Sequence, residues 1–277
     1  MKNKIKKPTV IAIAQHKGGV GKTTSCLSLS EALTRTGKAV LLIDLDIQAN
    51  LSLSVLGKNH QKSGILSYLK NPSQVEVSDI IHESDRGVFI IPNEKRLNGE
   101  VQDINALMGE GIKSFLRIET LLKAAIIKEF DYIFIDLPPS KDKIIANAMM
   151  AADYYLIPVE ASDYCLDGIE ELISFINEAK EYNEKLDLLG MYMPNVDLRL
   201  KANKELMREL KESLGTMFID IGIPTNAKVS TLPAQGKTIF DLKGKDAKGR
   251  AEYEQLAAEI ERRVYMNAQT QNAGQEV

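Results

Sequence analysis

A chain of 277 residues with 44% apolar content can bury a full core, as one large α/β domain or as two modest ones. Its formal charge of -3 and pI near 5.8 give no global attraction to nucleic acid or anionic lipid, so either kind of binding requires a local patch. Two distant cysteines, Cys26 and Cys165, argue against a zinc or disulfide framework and fit a reducing cytoplasm, and no apolar run approaches the ~18 residues of a membrane span.

The N-terminal MKNKIKK is basic, but PTVIAIAQ follows it without the long apolar region or cleavage site of a signal peptide, so TVIAIA (residues 9 to 14) is predicted as a buried strand. After the glycine-rich QHKGGVGKTT (15 to 24), TTSCLSLSEALTRTG places apolar residues at three- and four-residue steps and ends on Gly37, which reads as a capped helix. AVLLIDLD (39 to 46) and GVFIIPN (87 to 93) are the next strands, and the polar residues 57 to 86, with Asn71-Pro72, are expected to hold a short helix and loop. A helix is predicted over GIKSFLRIETLLKAAIIKEF (111 to 130), then strands DYIFIDLPP (131 to 139) and DYYLIPVE (153 to 160), and a helix over LDGIEELISFINEAKEY. Strand LLGMYMPN (188 to 195), helix NKELMRELKESLG and strand MFIDIGIP (217 to 224) follow. Helical character resumes and runs to about Tyr265; residues 1–265 are expected to form a single domain and 266–277 a polar, flexible tail.

Strands that are apolar throughout and alternate with helices imply a doubly wound α/β fold, with a mostly parallel sheet and helices on both faces. At the C-terminal edge of such a sheet, a glycine-rich turn that leaves a strand and opens a helix aims backbone N–H groups at one point, which suits a phosphate. Gly18, Gly19 and Gly21 let the backbone curl, Lys22 can reach the β- and γ-phosphates, and the Thr23 hydroxyl can ligate Mg²⁺. The expected nucleotide loop runs from Lys17 through Val20 to Thr24. Asp136 closes the apolar strand DYIFID, so its carboxylate emerges at the same edge and is expected to hold Mg²⁺ through water. The Ser140 to Lys143 stretch beyond the two prolines is placed to sense the γ-phosphate. Asp44 and Asp46, two apart at a strand end, share a face.

A strict phosphate loop has glycine where His16 stands. KGGVGKTT instead resembles the deviant Walker A motif of ParA/MinD-type P-loop ATPases, in which that position need not be glycine. VLLIDLDIQANLS resembles the family's switch I with Ile47 in place of its proline, and DYIFIDLPPS resembles its Walker B and switch II. DYYLIPVEASDYCLDGIEEL and IGIPTNAKVSTLPAQGKTIFDL resemble later segments, so the likeness runs from about residue 9 to 260.

The resemblance implies an ATP- and Mg²⁺-dependent ATPase that dimerises in its ATP state, with Lys17 reaching the phosphates bound by the partner subunit. It implies that Asp44 supports the magnesium shell and that Asp46 orients or deprotonates the attacking water. It points to Asn195, Pro224, Thr225 and Asn226 for adenine, and to Arg199 and Lys228 for sequence-independent contact with double-stranded DNA. The residues themselves add to the last point. From Arg199 to Arg250, eleven Lys/Arg stand against six Asp/Glu, and Lys201, Lys204, Arg208 and Lys211 recur at helical steps as a phosphate-contacting stripe or a solvated face paired with Glu205, Glu209 and Glu212. A ParA/Soj-type partition ATPase, cytoplasmic and nucleoid-associated and stimulated by a ParB-like centromere-binding protein, is therefore the leading expectation. A MinD-like division-site ATPase would need an amphipathic C-terminal helix, which the polar tail argues against. An iron-sulfur reductase of the same superfamily would need cysteines close after switch II, where neither cysteine lies. A ParA-like ATPase that positions a protein cargo stays open.

Overall fold

The computed structural model describes residues 7–57, 60, 62–94, 104–140, 142–160, 173–174, 176–232 and 235–274. Eight strands form one sheet: β1 Thr9–Ile13, β2 Val40–Asp44, β3 His82–Glu83, β4 Phe89–Ile91, β5 Tyr132–Asp136, β6 Tyr154–Pro158, β7 Asp187–Val196 and β8 Phe218–Pro224. Their spatial order is β3-β4-β2-β5-β1-β6-β7-β8, and every pairing is parallel except the short β3–β4 edge. The doubly wound, mostly parallel architecture predicted from the strand–helix alternation is the one observed.

Successive residues of each strand serve opposite faces. Ile11 and Ile13 of β1, Leu42 of β2 and Phe134 of β5 pack with Leu29 and Leu33 of α1 (Lys22–Arg35). Leu256 and Ile260 of the last helix, Arg250–Gly274, join that face. Leu51 of α2 (Asn50–Leu56) packs there too, whereas Ala12, Ile43 and Ile135 point the other way, toward α3 (Ile65–Lys70), α4 (Ile104–Leu107), α5 (Arg117–Leu121), α6 (Lys143–Ala151) and α7 (Lys201–Leu214), where Leu69, Ile118, Ile144 and Leu210 complete a second core. Each large aliphatic side chain buried in this way contributes about 1.5–3 kcal/mol, which is why these strands are apolar on both faces.

Three elements depart from the sequence expectation. The predicted helix over 111–130 is broken into a 3-10 turn Ile112–Phe115, α5, and a second 3-10 turn Ala125–Glu129. Buried Asn147 of α6 makes the first break possible: its Oδ1 accepts the N–H groups of Arg117 (2.9 Å) and Ile118 (3.2 Å), and its Nδ2 donates to Ser114 O (2.5 Å). These are the groups a continuous helix would have paired internally. Helix α6 is absent from the expected elements; it is only nine residues long, KIIANAMMA, and mostly apolar. The last helix, α8 here, runs to Gly274, beyond the expected end near Tyr265. Of the helix predicted over 166–182, residues 166–172 and 175 fall outside the described residues, and 173–174 and 176–180 are helical.

Parallel pairing fixes the site. Ile13 and Asp44 are both register partners of Asp136, so the exits of β1, β2 and β5 lie side by side at one sheet edge.

Candidate active site

The loop between β1 and α1 turns through left-handed backbone at Gly19 (φ 79°) and Gly21 (φ 89°), conformations that disfavour a side chain. Gly21 packs beside β7, where an added Cβ would make an ordinary 3.5 Å contact with Pro194 Cβ, so the backbone conformation is what calls for glycine there. Lys22 opens α1 and is buried; its Nζ donates to Gln15 O (2.9 Å) and Lys17 O (3.2 Å), folding over the loop that precedes it. Burial lowers its pKa, opposed by the carboxylates of Asp136 and Asp46. His16 keeps its ring against switch II, with Nδ1 3.2 Å from Ser140 O, while Gln15 Nε2 reaches Pro158 O (3.3 Å). The histidine therefore joins the loop to the exit of β5 without disturbing the glycine turn.

Below the loop, Thr23 Oγ1 donates to Asp136 Oδ2 (2.7 Å). Among the described residues the other oxygen, Asp136 Oδ1, is buried with no hydrogen-bond partner, and Ser140 Oγ beyond it is in the same condition. Burial, and then the neighbouring Asp44 carboxylate, push the Asp136 pKa up to about 8. Asp44 is fully buried and its pKa is also raised by burial, against the pull of hydrogen bonds from Ser52 and Asp46. Two adjacent buried carboxylates with an unsatisfied oxygen are costly unless a cation balances them. Thr23, Asp136 and Asp44 thus fit a magnesium ion in donor chemistry. Among the described residues no group of three or more His, Cys, Asp or Glu is arranged to hold a metal alone, so phosphate and water oxygens would have to complete the shell.

Asp46 is half-buried where the chain leaves β2; its Oδ1 accepts Gln48 N–H (2.9 Å) and its own N–H donates to Asp44 Oδ1 (3.1 Å). Ala49 (φ 54°) ends this turn and leads into α2. At the rim, the Lys17 side chain is 58% exposed and ion-pairs with Glu160, 47% exposed, just past β6.

A cleft of about 150 Å³ adjoins the loop, lined by Gly19, Gly21, Thr24, Asn195, Pro224 and Asn226 among others. Asn195 holds a left-handed backbone (φ 58°) at the end of β7. Asn226 spends its amide on the loop beside it, donating to Asp246 O and Lys248 O (both 2.8 Å) and accepting Lys228 N–H (3.1 Å). Thr225 stands outside the cleft lining, its N–H bonded to Val196 O (3.1 Å). A larger cavity of about 680 Å³, lined by Lys7, Asp153 and Lys185 among others, lies at the opposite, N-terminal edge of the strands and shares no residue with the loop.

The basic candidates are exposed, and most sit in local ion pairs. Arg199 pairs with Asp197 (2.6 Å), Lys201 with Glu205 (3.4 Å), Arg208 with Glu212 (3.8 Å) and Lys228 with Asp246 (2.5 Å); Lys204 is exposed on α7. Because β1, β6, β7 and β8 run parallel, Arg199 after β7 and Lys228 after β8 flank the edge that carries the phosphate loop.

Sequence patterns did not reveal Ser52, Asn93 or Glu160 as participants. Ser52 lies within the switch I resemblance but carries no signal of its own, and Asn93 and Glu160 meet the site only through strand order. Cys26 is fully buried, and burial pushes its thiol pKa well up, which makes it inert; Cys165 lies outside the described residues. Among the described residues no helix is long and apolar enough to cross a membrane.

Comparison with known proteins is consistent with this geometry. A family profile described as "AAA domain" matches residues 8–188. The chromosome partitioning protein ParA of Caulobacter vibrioides is 30% identical over 91% of this chain and 93% of its own. A putative plasmid partition protein of Borrelia burgdorferi, solved with AMPPNP, is 25% identical with a TM-score of 0.72, covering 94% of this chain and all of its own. Cobyrinic acid a,c-diamide synthase of Mycobacterium smegmatis, solved with an ATP analogue and magnesium, shares the fold at 24% identity and a TM-score of 0.74, covering 91% of this chain and 93% of its own.

Proposed function

This chain belongs to the ParA/Soj family of P-loop ATPases, and we propose that it is a magnesium-dependent partition ATPase whose ATP-bound dimer holds non-specific DNA. The observation that carries the reading is the pairing of a complete phosphate cradle with a second lysine, Lys17, held at its rim by an exposed ion pair.

In this reading Lys22 leaves the two loop carbonyls for the β- and γ-phosphates. Thr23 and Asp136 would hold a magnesium ion, with Asp44 behind them, and the cleft beside Asn195 and Pro224 would take the adenine. When bound, magnesium supplies charge neutralisation at the phosphate oxygens. Asp46 orients, or takes a proton from, the attacking water. Lys17 exchanges Glu160 for the phosphates held by the facing subunit, so dimerisation becomes linked to ATP. An exposed pair such as Lys17–Glu160 contributes only about 0–1 kcal/mol, so the exchange costs little.

Arg199, Lys201, Lys204, Arg208 and Lys228 supply DNA backbone contacts, which two copies in a dimer would double. Their local carboxylate partners are exposed and readily displaced by phosphate. The cellular reading is nucleoid association, with turnover stimulated by a ParB-like protein bound at a centromere.

The test is a gel shift on arbitrary duplex DNA with ADP, ATP and no nucleotide, run beside liposome sedimentation. A shift only with ATP is expected. Liposome binding with ATP, and no shift, would replace this reading with the MinD-like one.

A further inference from the structure

The buried polar groups around Asp44 come from three separate parts of the chain. Ser52, in the first turn of α2, is fully buried. Its Oγ donates to Asp44 Oδ2 (2.6 Å) and accepts the backbone N–H of Asn93 (2.8 Å), and its own N–H donates to the same Oδ2 (2.8 Å). Both capacities of the hydroxyl are therefore in use. Asn93, buried at the exit of β4, turns its Nδ2 toward Asp44 O (3.5 Å). The next residue, Glu94, accepts the N–H groups of Gly64 (2.7 Å), Leu66 (2.6 Å) and Ser67 (2.9 Å) at the start of α3.

Two consequences follow from this arrangement. Helix α2 has no side-chain cap from the residue that precedes it, Ala49; the carboxylate of Asp44, eight residues before Ser52, takes that place. Asp44 meanwhile gives Oδ1 to the N–H of Asp46 and Oδ2 to Ser52, so most of its capacity holds the chain around Asp46. The segment from 44 to 52 is a closed loop, pinned at both ends to one carboxylate, and Asp46 stands inside it.

We infer that Ser52 is a positioning residue for ATP hydrolysis: its hydroxyl, locked between the Asp44 carboxylate and the Asn93 amide, keeps the 44–52 loop in the form that presents Asp46. The inference rests on the ATPase reading above. It assigns Ser52 to the turnover step and leaves nucleotide binding to the loop between β1 and α1.

The experiment compares Ser52→Ala and Ser52→Thr with the unaltered chain in steady-state ATP turnover, binding of a fluorescent ATP analogue, and backbone hydrogen exchange. A hydrogen bond to a charged group is lost in Ser52→Ala, so kcat is expected to fall about tenfold or more while analogue affinity stays within about twofold. Exchange at the Asp46 and Ser52 amides is expected to rise about tenfold, with that of α1 unchanged. Ser52→Thr, which keeps the hydroxyl, should restore most of the turnover. Unchanged turnover in Ser52→Ala would overturn the proposal, as would a joint loss of turnover, affinity and α1 protection, which marks a general packing role. Absence of turnover in the unaltered chain would remove the ATPase reading instead; the exchange at Asp46 then decides the clamp, and unchanged protection there overturns it.

Discussion

The phosphate cradle and the basic surface lie on the same edge of one sheet, yet they are built in opposite ways. In the cradle Lys22, Asp44 and Asp136 are buried: Lys22 is held by carbonyls of the loop before it, Asp44 by the turn that follows it, and Asp136 by Thr23 of a distant segment. On the basic surface Arg199, Lys201, Arg208 and Lys228 are exposed, and each pairs with a carboxylate of its own loop or helix or of the loop beside it. A buried charge whose partner is removed costs several kcal/mol, whereas an exposed pair contributes about 0–1 kcal/mol. The cradle should therefore respond to single substitutions, and the surface only to several together.

The sharpest way to break this contrast is Lys22→Ala. ATP affinity measured by calorimetry should fall at least about a hundredfold, because the lost cation is the one proposed to meet the β- and γ-phosphates. A loss of only a few fold would mean that the cradle is no more demanding than the surface. Asp46→Ala should come next, with turnover down about a hundredfold and the ATP dimer retained on size exclusion; rapid turnover would remove Asp46 from the chemistry. Lys17 tests the boundary between the two regions, since it is exposed like the surface but assigned to phosphate like the cradle. Lys17→Ala should abolish the ATP dimer while ATP affinity changes less than about threefold, and a normal dimer would return Lys17 to the class of solvated charges. The smallest single-chain effect belongs to the surface. Arg199→Ala with Lys228→Ala should weaken binding to arbitrary duplex and lower the slope of log affinity against log salt by about two per chain, whichever sequence is used.

The same contrast predicts a pH dependence. Burial raises the Asp136 pKa from 3.8 to about 8, so the folded chain holds this proton more tightly than the unfolded chain does. Its contribution to stability is full below pH 3.8 and is lost as pH rises through about 8. Without magnesium, the unfolding temperature of the unaltered chain should therefore fall relative to Asp136→Asn across that window. Excess magnesium with ATP should narrow the gap, because it binds the ionised form. Equal slopes for the two proteins would show that Asp136 is solvated and not part of a buried cradle.

How much of this was legible in the sequence follows the same division. Gly18, Gly19, Gly21, Lys22 and Thr23 are contiguous, and Asp136 closes an unbroken apolar strand, so local pattern places them all at one sheet edge. Asp44 was legible as a strand-end carboxylate, but its engagement with Ser52 was not, since nothing in DLDIQANLS requires the chain to turn back on itself. Asn93 and Glu160 meet the site through the order of strands in the sheet, which periodicity does not encode. The expected helix over 111–130 failed for a related reason. Apolar spacing registers the face that is buried, while the break depends on Asn147, a polar residue about thirty positions further on. The final helix was underestimated because polar residues without an apolar stripe give little signal, although Met, Ala and Gln there sustain a helix well enough.

Lys22 also has a consequence for what the loop rejects. Resting on Gln15 O and Lys17 O, the ammonium already has two acceptors, so an incoming anion must outbid them before it gains anything. Inorganic phosphate or sulfate, small and well hydrated, offers little beyond the two carbonyls it displaces. A nucleoside polyphosphate brings a longer chain of oxygens, a base for the neighbouring cleft and a metal for the carboxylates. In the proposed reading the resting lysine would thus set a threshold that favours a nucleotide over small free anions.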